Sequence, residues 1–168
     1  MNYVILVAQV TMATLVYSLI YLWYVAPRLS VQPLLVALQP LLLVQAFRFT
    51  GLTLAVGGQV DPEVPSDVLL QAGLGDMATA LLALAALVLA RRGSGAAVAG
   101  TWVVTVVGLL DFANVGRIVA QTDLLSYDVG AMWLALIWYV PVVLISHLAI
   151  ISILVRKDAG EGSLTMST

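Results

Sequence analysis

The chain has 168 residues, of which 62% are hydrophobic and only 10% are charged, with a formal net charge of −2 and a mean hydropathy of +1.06. A soluble domain carries about 25% charged residues, so this composition excludes a water-soluble globular fold, and no basic run points to nucleic acid. Without cysteine there is no disulfide, no thiolate metal site and no c-type haem attachment, and no cofactor is expected.

A helix crossing the hydrocarbon core needs about 20 apolar residues. Five segments meet that length. The first runs over about 4–25 and ends at Ala26-Pro27-Arg28. MNYVILVAQV lacks the positive start of a secretory signal, so it reads as an uncleaved first span. Tyr17, Tyr21 and Tyr24 line one side of it, a packing or interface stripe that could also stack on a quinone or lipid ring.

The second span covers about 34–56, holds Pro40 and Arg48, and closes at Gly57-Gly58. The connector 58–67 is rich in breakers, with Pro62 and Pro65. The third span covers about 68–90 and is followed by the tight turn RRGSG. The fourth covers about 97–119, and the fifth about 130–155, where Pro141 should kink the helix and free carbonyls to line a cavity. The expected fold is therefore all-α: one five-span bundle over 1–157, then a polar, disordered tail over 158–168. No internal repeat marks an inverted-repeat transporter.

Lysine and arginine in short loops set the orientation. Arg28, Arg91, Arg92, Arg156 and Lys157 fall on one side, and Asp61, Glu63, Asp67, Asp123 and Asp128 on the other. The N-terminus is expected outside and the C-terminus in the cytoplasm of a bacterial-type inner membrane, with Arg117 the one dissenting cation. Tyr21, Trp23, Tyr24 and Trp133 suit the interfacial belts.

Arg48, Asp76 and Asp111 lie well inside spans, where a charge costs at least ~2.5 kcal/mol and needs a partner or water. Counting about 1.5 Å per residue from the helix ends puts all three roughly 9–12 Å below the outer surface. Ala72, Gly73, Thr79, Ala80 and Ala83 share the Asp76 side of the third helix, and Gly108, Asp111 and Asn114 share an arc of the fourth. Arg48 is expected to pair with one or both aspartates, with Gln45, Thr79 and Asn114 completing the hydrogen bonds and Arg117 joining them or reaching outward. Read only as structure, such a set fixes helix register. Read as function, it is a polar pocket.

His147, the only histidine, falls in the cytoplasmic half of the fifth helix by the same count, away from the charges. It is a secondary candidate for a proton relay or ligand, beside the plainer reading of a hydrogen-bonded structural histidine next to Ser146.

Residues 73–76, GLGD, resemble the GxGD motif of intramembrane aspartyl proteases, in which two membrane aspartates share a proton. That resemblance implies Asp76 with Asp111, or with Asp128 of Tyr127-Asp128, as a hydrolytic pair. The chain departs from the pattern. Its Tyr-Asp follows the motif instead of preceding it, no Pro-Ala-Leu motif is present, and five spans are fewer than that fold uses. The only lysine, Lys157, is outside the spans, which opposes a retinal Schiff base, and no zinc or nucleotide motif occurs.

The leading expectation is a non-catalytic membrane protein whose pocket, at Arg48, Asp76, Asp111, Asn114, Gln45, Thr79 and Arg117, binds or conducts a small ligand, ion or lipid headgroup. The alternatives are an accessory or assembly subunit, docking on a larger membrane complex or on its own copies, and an intramembrane hydrolase.

Overall fold

The computed structural model describes residues 2–130 and 132–165. It is all-helical, and no strand occurs among the described residues. Five helices are long and apolar enough to cross a membrane: α1, Tyr3–Ser30; α2, Leu34–Ala55; α3, Ser66–Arg91; α4, Ala96–Thr122; and α5, Met132–Arg156.

The helices are not uniform. α1 contains a π-turn at Tyr21–Val25 and α5 contains one at Ala135–Tyr139. Each ends two residues before a proline, Pro27 or Pro141, and each follows from the same local order, Trp-Tyr-Val then proline or Ala-Pro. A helical proline lacks an N–H and crowds the carbonyl four residues back. The wider π-turn, in which Ala26 N–H reaches Tyr21 O and Val140 N–H reaches Ala135 O, relieves that crowding. α1 therefore does not stop at Ala26-Pro27-Arg28 but continues to Ser30. In α2, Pro40 lies within regular α-helix, and the change comes later, where Phe47–Ala55 tightens into a 3-10 helix.

The polar tail, expected to be disordered, continues α5 as helix through Thr165. It holds no proline, and extension from an existing helix avoids the cost of nucleation. Residues 166–168 lie outside the described residues.

The α3–α4 turn is closed by a Schellman motif: Ser94 N–H donates to Leu89 O at 3.0 Å, Gly93 N–H to Ala90 O at 3.1 Å, and Gly93 takes φ +67°. At the opposite end the two acidic connectors are tied together. Asp61 N–H donates to Asp128 O at 2.9 Å, and Gly130, at φ +47°, passes so close to Gln59 O that no Cβ could fit. Val60, Val64, Leu69, Leu124, Val129 and Met132 pack beneath these connectors as a small apolar cap.

The main core lies nearer the other end, where Leu38, Leu42, Val104, Ile150 and Leu154 are fully buried against Ala83 and Ala86. The buried face of α3 is almost wholly small, running through Ala72, Gly73, Thr79, Ala80, Ala83, Ala86 and Ala90 along one side of the helix. Small residues let backbones approach closely. The 3-10 part of α2 lies against this face, and a Cβ at Gly73 would come within 3.1 Å of Gly51 O and Leu52 Cα. α1 stands apart: it packs mainly on α5, and almost all of its side chains are exposed or half-exposed.

Candidate functional site

The 3-10 geometry of α2 sets the site. At three residues per turn, positions i and i+3 stack on one face, so Arg48 and Gly51 both face α3. Arg48 is 1% exposed, a full charge enclosed by protein. Its guanidinium works as a hub. Nε donates to Asp76 Oδ1 at 2.7 Å, Nη2 donates to Asp111 Oδ2, and Nη1 donates to Gly108 O at 3.3 Å. Nη1 also meets His147 Nε2 at 3.4 Å, and the guanidinium carbon lies 4.4 Å from the Phe112 ring centre. The planar fork of arginine, with five donors, suits such a divided task. A lysine would not.

Three glycines make room for the hub. A Cβ at Gly51 would overlap the Asp76 carboxylate, one at Gly75 would overlap that of Asp111, and one at Gly108 would lie 2.7 Å from His147 Cε1 and Nε2. The second oxygens, Asp76 Oδ2 and Asp111 Oδ1, accept no hydrogen bond from the described residues. Asp76 is the more open of the two, its side chain 21% exposed against 6% for Asp111.

Arg48, Asp76 and Asp111 thus meet, but the other residues singled out from the sequence divide. Thr79 spends its hydroxyl on Gly75 O, at 3.0 Å, one turn back in its own helix. Gln45 lies one turn from Arg48 and serves α5 instead, donating to Val143 O at 3.2 Å and Ser146 Oγ at 2.5 Å. Asn114 is six residues from Gly108, a rotation of about 600° that leaves it about 120° off the shared arc. It accepts from Arg117 at 2.9 Å on an exposed face, and Arg117 also donates to Gln121 at 2.7 Å, so neither joins the cluster.

His147 is the reverse case, because it belongs to the cluster from which the depth count excluded it. Helical side chains lean toward their own N-terminus. α2 and α5 run antiparallel, since the end of α2 and the start of α5 meet at the tied connectors. Arg48 and His147 therefore lean toward one another, and the long arginine closes the rest of the gap. Phe112, edge-on to His147 at 6.0 Å and 80°, was not anticipated. Its position next to Asp111 was the available signal.

The hub forms one wall of a cavity of about 530 Å³, within the ~300–1,000 Å³ usual for small-molecule sites. Apart from Arg48, Asp76 and Asp111 the lining is mainly apolar, including Leu54, Phe112, Val115, Leu136 and Val143. Tyr139 lines it too, its hydroxyl donating to Val44 O at 3.2 Å. Thr50, Gly116 and Ala135 are lining residues that are also exposed and lie within α2, α4 and α5. The mouth is therefore on the flank of the bundle, below the apolar cap.

A family model described as a domain of unknown function, DUF8737, matches residues 5–155. The chain belongs to this family. The match takes in all five helices and every residue of the hub and cavity, so the site belongs to the DUF8737 domain itself. No curated protein and no solved structure shows significant similarity to the chain.

Gln45 gives a test of structure alone. It is fully buried, and its Oε1 has no partner. Ser146 Oγ keeps its own bond to Val143 O, at 2.8 Å, without it. Gln45→Leu loses two weak bonds but also removes an unsatisfied acceptor, so the unfolding free energy in detergent should move by less than about 1 kcal/mol. A loss of several kcal/mol would mean that Gln45 holds α2 to α5.

Proposed function

We propose that this DUF8737 chain is a multi-pass cell-membrane protein that binds a small, largely apolar ligand in the cavity between α2, α3, α4 and α5, with the polar end of the ligand at the Arg48–Asp76–Asp111 hub. The observation that carries this is an apolar cavity ending at buried charges, with its mouth on the flank of helices that would face lipid. Intramembrane charge marks a functional site by default, and a lateral mouth admits a ligand already dissolved in the bilayer. Arg28, Arg91, Arg92 and Arg156 at one end and the acidic connectors at the other favour an outside N-terminus and a cytoplasmic C-terminus. The mouth then lies in the outer half.

The site is better suited to holding than to hydrolysis. Two carboxylates that share a proton need each other, whereas here one guanidinium bonds to both. Docking of a partner through the small-residue faces of α3 and α4 is also disfavoured, because those faces are already buried inside the bundle.

Native mass spectrometry after extraction in mild detergent tests the reading. The wild type should carry a bound small molecule or lipid near one per chain, and Val115→Trp, which fills the cavity from α4, should lose it while remaining folded. Equal occupancy in both proteins would overturn the reading. Stoichiometric co-elution of a larger protein with an empty cavity would favour the subunit alternative.

A further inference from the structure

The charge count of the hub says more about the ligand than the cavity walls do. Among the described residues that form the hub or line the cavity, Arg48 is the only cation and faces two carboxylates, so the site carries a formal charge of −1. Arg48 is already committed to both carboxylates, a carbonyl and His147. Because the guanidinium can only donate, His147 Nε2 is the acceptor in that contact, and the imidazole adds no second positive charge. An anionic headgroup would find no uncommitted cation here and two carboxylates in its way.

What the site has in surplus is acceptors. Asp111 is more than nine-tenths buried, lines the cavity, and leaves Oδ1 without a hydrogen bond from the described residues. Asp76 Oδ2, in the same wall, is likewise unpartnered. These two oxygens open onto a mainly apolar cavity, where a charged acceptor is poorly solvated, and a ligand bearing a positive, hydrogen-donating end would satisfy them. A metal ion fits less well, since no group of three His, Cys, Asp or Glu gathers among the described residues. The remaining walls are mainly apolar and the mouth opens sideways. Resting on the ligand-binding reading above, we infer that the cavity takes a lipophilic cation: an apolar chain or ring system ending in an ammonium group, held by Asp76 and Asp111 with Arg48 fixing both carboxylates in place.

Three probes of equal chain length isolate the head charge: decylammonium, decanol and decanoate. Each is titrated calorimetrically into the full chain in phosphatidylcholine nanodiscs, with empty nanodiscs as the blank. Decylammonium should bind saturably and at least about tenfold more tightly than decanoate, a difference of about 1.4 kcal/mol, with decanol between them. Asp76→Asn should weaken decylammonium by about tenfold and leave decanol nearly unchanged. Gly116 faces open space where a Cβ would stand, so Gly116→Leu narrows the mouth without touching the hub and should abolish binding of all three probes. Decanoate binding as well as decylammonium, or none of the three binding, overturns the cation inference, while the cavity reading still stands or falls on the mass-spectrometric result. Decylammonium binding that Gly116→Leu does not affect also overturns it, because the site would then be elsewhere.

Discussion

Arg48→Met should destabilise the protein by about 3–5 kcal/mol, measured as reversible unfolding in mixed micelles, although methionine fills a similar apolar volume. The penalty comes less from the arginine than from what it leaves behind. Asp76 and Asp111 would face each other in a buried site with no counter-charge, and breaking a buried ion pair from one side is costly in this way. The same reasoning fixes the sign of a rescue. Converting both aspartates to asparagine in the Arg48→Met background removes the uncompensated charges and should restore most of the lost stability, since neutral replacement of a whole buried ion set is often neutral or stabilising. If the triple variant is no more stable than Arg48→Met alone, the hub is held by packing and not by charge balance. Decylammonium binding should be lost from the triple variant, which has no carboxylate left to hold it, so stability and binding part company there.

The second large effect reverses an ordinary rule. In an exposed helix, glycine to alanine stabilises by up to about 1 kcal/mol. Gly75→Ala should instead cost about 1–3 kcal/mol, the range for forcing an extra carbon into a packed interior. The new Cβ would lie 2.7 Å from Asp111 Cγ and closer still to Oδ1. The carboxylate cannot retreat without leaving Arg48. Gly116→Ala is the internal control: it sits in the neighbouring helix, nothing lies within 4 Å of its would-be Cβ, and it should stabilise as the rule says. Measured side by side, opposite signs support the close approach of α3 to Asp111. A stabilised Gly75→Ala would disprove it.

How much of this was legible depended on the physical rule available for each residue. The apolar runs are long enough to demand helices, and five helices of that kind are present. Arg48, Asp76 and Asp111 could be brought together because each is too costly to leave unpaired, and because a fixed rise per residue converts position into depth. That conversion failed for His147, since it tracks the backbone while the contact is made by two side chains leaning toward each other. It failed for Asn114 through angle, because an arc that holds for three residues has turned away after six. The 3-10 stretch at Phe47–Ala55 and the two π-turns had only local signals, a Thr-Gly-rich segment and a proline after Trp-Tyr-Val. The cavity had none, because a void arises from what four helices, distant in sequence, fail to fill.

The looseness of α1 bears on how the molecule is made. Chains are synthesised from the N-terminus, so of these five helices α1 emerges first, yet its principal neighbour, α5, emerges after the other four. Gln9 waits for the indole of Trp133, 124 positions later, to complete their 2.9 Å hydrogen bond. Until then the bundle of α2 to α5 is unfinished and the first helix lacks its principal neighbour. A nascent chain arrested before Met132 should therefore leave α1 free to diffuse from its siblings, and full assembly should be an all-at-once event that waits for α5.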